Sequence, residues 1–273
     1  MMIDREAPIG VFDSGVGGLT VAHEIMKNLP TERIIYFGDT ARVPYGSKSR
    51  ETILRYSRQI VRFLCSQGVK AIVVACNTAS ALALSELEKE INIPIIGVVK
   101  PGAKVAAKAT KNKKIGVIAT ESTIQSKMYQ NFISKMDSEI KVFGKACPLF
   151  VPLVEEGWLD DDVTKQVAHR YLEGLKEKQI DSLILGCTHY PLISKVVGEV
   201  MGSEVKLVNP AYETAISLKE LLESVDMRSE AKEGNDITHE FFVSDAARKF
   251  ASFANAILPT DDLITKQINI EEY

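Results

Sequence analysis

Short apolar runs bounded by turn residues alternate along this chain with longer stretches whose apolar positions recur at helical spacing. That alternation predicts repeated βαβ units, an α/β protein built on parallel sheets. The predicted strands are 9–13 (IGVFD), 33–38 (RIIYFG), 70–75 (KAIVVA), 94–98 (PIIGV), 114–119 (KIGVIA), 139–143 (EIKVF), 181–186 (DSLILG), 204–208 (EVKLV) and 240–243 (EFFV). Between them, Arg50 to Gln67 gathers Ile53, Leu54, Ile60, Val61, Leu64 and Cys65 on one helical stripe, and Gly68 ends it. On that pattern Cys65 is a core residue.

The pattern repeats. Ile9-Gly10-Val11 recurs as Ile115-Gly116-Val117, and Phe37-Gly38 recurs as Phe143-Gly144 at the same offset. Ile72-Val73-Val74-Ala75-Cys76 answers Leu183-Ile184-Leu185-Gly186-Cys187, and Ile95-Ile96 answers Lys206-Leu207 at a second common offset. Four matches in order predict two similar α/β halves, residues 1–99 and 100–209. The stretch 210–273 has no counterpart and is expected to return to the first half as extra helices and one late strand.

Composition narrows the class of partner. The chain has 273 residues, with 33 Lys plus Arg against 36 Asp plus Glu and no long run of one sign. That balance argues against nucleic acid or an anionic membrane surface as the main partner and leaves small molecules or proteins. The N-terminus lacks the apolar core of a secretory signal, and no stretch approaches a membrane span, so a cytoplasmic location is expected. Four cysteines, at 65, 76, 147 and 187, are too scattered for a disulfide scaffold or a zinc site, and no metal is expected.

In open parallel sheets, ligands bind beyond the carboxyl ends of the strands. There the sequence collects Asp13-Ser14-Gly15-Val16-Gly17-Gly18, Asp39-Thr40, Pro44-Tyr45-Gly46, Cys76-Asn77-Thr78 and Cys187-Thr188-His189. A cysteine ending one apolar strand is ordinarily a small buried hydrophobe. Two at equivalent repeat positions, each followed by polar residues at the start of a helix, suit reactive thiols instead. A helix N-terminus there would lower a thiol from ~8.5 towards neutrality. Facing each other across a pseudo-twofold axis, such thiols fit racemisation, in which a base removes a proton from one face and an acid returns one to the other. No lysine is placed as a clear Schiff-base residue.

Other residues weigh less. The loop after the first strand has a dinucleotide-like start, with Asp39 mimicking a ribose-binding acid, but its third glycine position is Thr20; a P-loop lacks its Gly-Lys-Ser/Thr. His189 is spaced to meet a ligand or tune Cys187, whereas Glu155 reads by spacing as a solvated helix end. His23, His169 and His239 read as surface or packing, Cys147 as core and Trp158 as packing.

Taken together, Val11-Phe12-Asp13-Ser14-Gly15-Val16-Gly17-Gly18-Leu19-Thr20, Tyr36-Phe37-Gly38-Asp39-Thr40, Pro44-Tyr45-Gly46, Ala75-Cys76-Asn77-Thr78-Ala79-Ser80, Ala119-Thr120-Glu121-Ser122-Thr123, Cys147-Pro148-Leu149-Phe150-Val151-Pro152-Leu153-Val154-Glu155 and Gly186-Cys187-Thr188-His189-Tyr190-Pro191-Leu192 closely resemble the bacterial glutamate racemases of the aspartate/glutamate racemase family. The resemblance implies two related α/β domains with the active site in the cleft between them. It implies cofactor-independent interconversion of L- and D-glutamate for peptidoglycan and a reaction run by two cysteines. Carried onto this chain, Cys76 would deprotonate the D-enantiomer and Cys187 the L-enantiomer. Asp13 would assist the first thiol, and Glu155 with His189 the second. Asp13, Ser14, Tyr45, Gly46, Asn77, Thr78, Thr188 and His189 match the substrate-binding positions, with Thr120 and Thr123 as further contacts. Relatives of this kind often dimerise, so a homodimer is a further expectation. Only the charged tail after about Leu258 departs from the family pattern.

Three alternatives stay open on sequence. One is a racemase for a neighbouring acid such as aspartate. The others are a nicotinamide-dependent oxidoreductase and a non-catalytic binding protein on the same fold.

Overall fold

A computed structural model describes residues 4–231, 237–258, 263 and 265–273. Its first four strands are β1 (Ile9–Asp13), β2 (Ile34–Gly38), β3 (Ala71–Val74) and β4 (Ile95–Gly97). The next four are β5 (Lys114–Ala119), β6 (Lys141–Ala146), β7 (Ser182–Gly186) and β8 (Lys206–Val208), and the last two are β9 (Glu240–Val243) and β10 (Thr265–Gln267). Helices α1 (Leu19–Asn28), α2 (Arg50–Ser66), α3 (Asn77–Leu82), α4 (Leu84–Glu90), α5 (Val99–Ala109) and α6 (Glu121–Gln125) alternate with the strands. They are followed by α7 (Met128–Met136), α8 (Phe150–Glu155), α9 (Asp162–Glu177), α10 (Ser194–Met201), α11 (Pro210–Ser224) and α12 (Ala247–Ile257).

The strands form two sheets, ordered β10-β9-β2-β1-β3-β4 and β6-β5-β7-β8, with every pairing parallel. Both faces of the first sheet are covered: Val11, Tyr36 and Val73 face one apolar layer, and Phe12, Phe37 and Val74 face the other. This is why the strands read as continuous apolar runs rather than alternating ones.

The order β2-β1-β3-β4 in one sheet is the order β6-β5-β7-β8 in the other, which is the repeat expressed as topology. Registers sharpen it. Gly10 pairs with Ile72 and Gly116 with Leu183, so the matches that set Cys76 and Cys187 at equivalent strand ends hold together. The other two slip. Phe37 pairs with Phe12, but Phe143 pairs with Gly116, so Phe143 is the counterpart of Ile35. Ile95 pairs with Ile72 and Leu207 with Leu183, which moves that match by one residue and would exchange its faces.

Residues beyond 209 add two strands, β9 and β10, rather than one, and β9 pairs with β2 as an extension of the first sheet. Helix α11 starts at Pro210, capped by Asn209 whose Oδ1 accepts from the Ala211 amide at 3.0 Å, and packs against both α1 and α5. In α2, Ser49 caps the start by accepting from the Thr52 amide, and Gly68 follows the end at φ +72°. Its buried face comprises Ile53, Ser57, Ile60, Val61, Phe63 and Leu64. Cys65 is exposed, contrary to expectation, because one residue beyond Leu64 is about 100° further round the helix. Cys147 is fully buried as expected, whereas Trp158 is 47% exposed. Among the described residues no helix is long and apolar enough to cross a membrane.

Candidate active site

Each sheet supplies one wall of a cleft of about 390 Å³ at the carboxyl ends of its strands. Cys76 occupies the residue before α3 just beyond β3, Cys187 follows β7, and both line this cleft while being almost fully buried. Ser14, Tyr45, Gly46, Asn77, Thr78, Thr120, Glu155, Thr188 and His189 line it too. Asp13 and Thr123, by contrast, lie behind the wall and act on residues that form it. Val43, Pro148, Val151 and Pro152 add an apolar surface, and none of the four was among the candidate site residues.

The loop after β1 explains its glycines by what packs there. Asp13 is fully buried and its Oδ2 accepts from the amides of Gly15 (3.1 Å) and Gly18 (2.9 Å). A Cβ on Gly17 would stand 2.3 Å from Thr188 Oγ1 and 2.6 Å from His189 Nδ1. The space a dinucleotide pyrophosphate would need against this loop is therefore filled by side chains from the second sheet. Asp39 also departs from the ribose-binding expectation, since it is fully buried and held by Arg42 and Ser244.

The two thiols have unlike neighbours. Burial, reinforced by the Asp13 carboxylate, pushes Cys76 up to about 12, an effect that the Ala79 amide and the Ser14 hydroxyl only partly offset. The expected lowering at the start of α3 is overruled, because desolvation of the charged form outweighs the few amides of so short a helix. Burial likewise raises Asp13, with the charge of His189 and the amides of Gly18, Gly15 and Ser14 opposing it. Cys187 Sγ instead lies 3.8 Å from His189 Nδ1, and His189 Nε2 lies 3.1 Å from Glu155 Oε1. Burial alone would push His189 down, but its bonds to Cys187 and Glu155 and the charges of Cys187 and Asp13 lift it to about 10. Glu155 ends α8, as its spacing suggested, yet its side chain reaches the imidazole rather than solvent alone.

Hydroxyls join the two walls. Thr78 Oγ1 lies 2.9 Å from Thr120 Oγ1 and 3.4 Å from Thr123 Oγ1, and the last two are 2.9 Å apart. Thr120 also caps α6. Asn77 is oriented by the Tyr129 hydroxyl, which donates to its Oδ1 at 2.6 Å, and Ser122 Oγ donates to Gly46 O at 2.8 Å. Tyr129 and Ser122 act on partners distant in sequence, so no local spacing marks them as positioning groups. Neither lysine nor arginine appears among the described residues lining the cleft, so anionic groups there would meet neutral donors and the His189 imidazolium.

The Asp/Glu/Hydantoin racemase family model matches residues 17–215. A glutamate racemase of Geobacter metallireducens is 52% identical over 251 residues, 92% of each chain. The crystal structure of glutamate racemase isoform RacE1 from Bacillus anthracis superposes with a TM-score of 0.93 at 40% identity, covering 97% of this chain and 98% of that one. That of the Francisella tularensis glutamate racemase in complex with D-glutamate does so with a TM-score of 0.91 at 39% identity, covering 98% of this chain and 100% of that one. With its paired cysteines at matching strand ends, and with relatives this similar over nearly their whole length, the chain is an amino-acid racemase and belongs to the Asp/Glu/Hydantoin racemase family.

Proposed function

We propose that this chain interconverts L- and D-glutamate without a cofactor, by proton exchange at Cys76 and Cys187, and that its D-glutamate feeds peptidoglycan synthesis. The carrying observation is the meeting of these two cysteines in one cleft, each from the equivalent strand end of its own sheet. The names of the relatives support glutamate as the substrate. The cleft volume suits a small amino acid held by several polar groups.

In this reading the Cys76 thiolate takes the α-proton of D-glutamate while the Cys187 thiol delivers its proton to the opposite face, releasing L-glutamate. The protonation states of the two sulfurs are thereby exchanged, and the reverse reaction begins from the Cys187 thiolate. Substrate ammonium beside Cys76 favours the thiolate that burial and Asp13 disfavour. Ser14, Asn77, Thr78 and Thr188 hydrogen-bond the α-carboxylate, where negative charge develops as the proton leaves. Tyr45, Gly46 and Thr120 hold the rest of the substrate, and Thr123 orients the Thr78 and Thr120 hydroxyls from behind.

Incubation in heavy water, starting separately from each enantiomer, tests the mechanism. Solvent deuterium is expected chiefly in the product enantiomer. Equal early labelling of recovered substrate would indicate a single base and overturn the two-thiol assignment. Cys76→Ala and Cys187→Ala are each expected to abolish racemisation in both directions, and faster turnover of aspartate than of glutamate would overturn the substrate.

A further inference from the structure

The segment Val43–Ser47 lines the cleft between β2 and α2, yet little of its own backbone holds it. Its regular structure is a single 3₁₀ turn, Tyr45–Ser47, whose start has no side-chain cap. Side chains fix it from two directions. Across the cleft, Ser122 Oγ donates to Gly46 O at 2.8 Å. From beneath, the Tyr45 hydroxyl donates to the buried Asp39 carboxylate.

Asp39 is itself clamped. Arg42 Nε donates to Asp39 Oδ1 and Oδ2 at 2.9 and 2.7 Å, and Ser244 Oγ donates to Oδ1 at 2.9 Å. The Arg42 side chain is only 9% exposed, with its guanidinium 4.0 Å above the Tyr56 ring. Its Nη1 donates to Gln59 Oε1 at 2.6 Å and to Glu271 Oε1 at 3.1 Å. Glu271 also accepts from Gln59 through Oε2. It sits in the C-terminal 3₁₀ turn Ile270–Glu272, which buried Ile270 and the Tyr273 ring against Phe63 hold to α2.

We propose that Arg42 is a positioning residue for the cleft, clamping the Val43–Ser47 loop through Asp39 and Tyr45 and tying it to the C-terminal turn through Glu271. The inference rests on the proposed glutamate reaction for its kinetic readout alone. A planar fork joined to several partners at once suits arginine and not lysine. The charged tail, which departs from the family pattern, thereby acquires a role in substrate binding without touching substrate.

The test uses Glu271→Ala, a change at an exposed side chain, with Glu271→Gln and Arg42→Lys, read by amide hydrogen exchange, steady-state kinetics and thermal melting. Glu271→Ala is expected to speed exchange across residues 43–48 and raise KM for glutamate, each about two- to fivefold, leaving kcat and the melting temperature nearly unchanged. Glu271→Gln, which keeps an acceptor for Arg42, is expected to restore most of the loss. Arg42→Lys is expected to raise KM about tenfold. Unchanged exchange at 43–48 together with unchanged KM would overturn the clamp, as would a lower melting temperature with faster exchange spread evenly over both sheets. If the unaltered protein fails to racemise glutamate while Glu271→Ala still loosens 43–48, the substrate reading falls and the clamp stands.

Discussion

His189 is where the two sides of the cleft diverge, and its charge has a consequence for stability that can be read without substrate. Its folded value of about 10 exceeds the ordinary 6.5, so between those limits the folded state binds more protons than the unfolded chain. The stabilisation is fully present below pH 6.5 and is lost as pH rises towards 10. Cys76 adds the same sign at higher pH, because burial and Asp13 raise it to about 12. Urea unfolding from pH 6 to 9.5 is therefore expected to show a loss on the order of a few kcal/mol, which His189→Asn largely flattens. Parallel slopes for both proteins would show that the imidazolium contributes nothing. Much of this site was legible in sequence, because Cys76 and Cys187 announce themselves through the repeat and short motifs carry their immediate neighbours. The Cys76 titration was not, since burial and the Asp13 field arise only on folding. Likewise, Tyr129 and Arg42 carry no local motif, and their roles come from contacts with Asn77 and Asp39 made in the folded chain.

Elements show the same division between local signal and tertiary contact. The strands of both sheets were legible because fully covered parallel strands are apolar throughout, and β6 shifted most because it is an edge strand with exposed Lys141 and Lys145. β10 is three residues of Thr-Lys-Gln, with no apolar pattern to mark it. Glycines make the distinction testable. Gly17→Ala would drive a methyl group into Thr188 and His189, and a displacement of about 1 Å at such groups can cost about a hundredfold in rate. That loss is expected in kcat/KM, with circular dichroism of the helices and sheets unchanged. Gly174, inside α9, has no atom near an added Cβ. Gly174→Ala is expected to raise unfolding free energy by about 0.5–1 kcal/mol and leave activity alone, because it removes only the conformational cost of glycine in a helix. A destabilised Gly174→Ala protein would contradict the open surroundings of that position.

At the scale of the whole molecule, two sheets of one strand order present unlike thiols to a substrate whose two forms are mirror images. Enantiomers in water have equal free energies, so kcat/KM for the two directions must be equal at every pH, however different Cys76 and Cys187 are. The asymmetry has to appear elsewhere. Under the proposed mechanism, the proton of L-glutamate leaves to Cys187, the sulfur beside His189, and that of D-glutamate leaves to Cys76, the sulfur beside Asp13. Loss of an acid–base helper typically costs on the order of a hundredfold or more. In His189→Asn, the transfer between carbon and Cys187 becomes the highest barrier in both directions. α-Deuterated L-glutamate breaks its C–D bond in that step and is expected to show a full primary isotope effect on kcat/KM. α-Deuterated D-glutamate breaks its bond at Cys76, before the slow step, and is expected to show little. Asp13→Asn is expected to reverse the pattern, since its slow step lies on the Cys76 side. Equal isotope effects for both enantiomers in both variants would mean that the thiols do not divide the two faces between them, and the assignment of one sulfur to each sheet would fail with them.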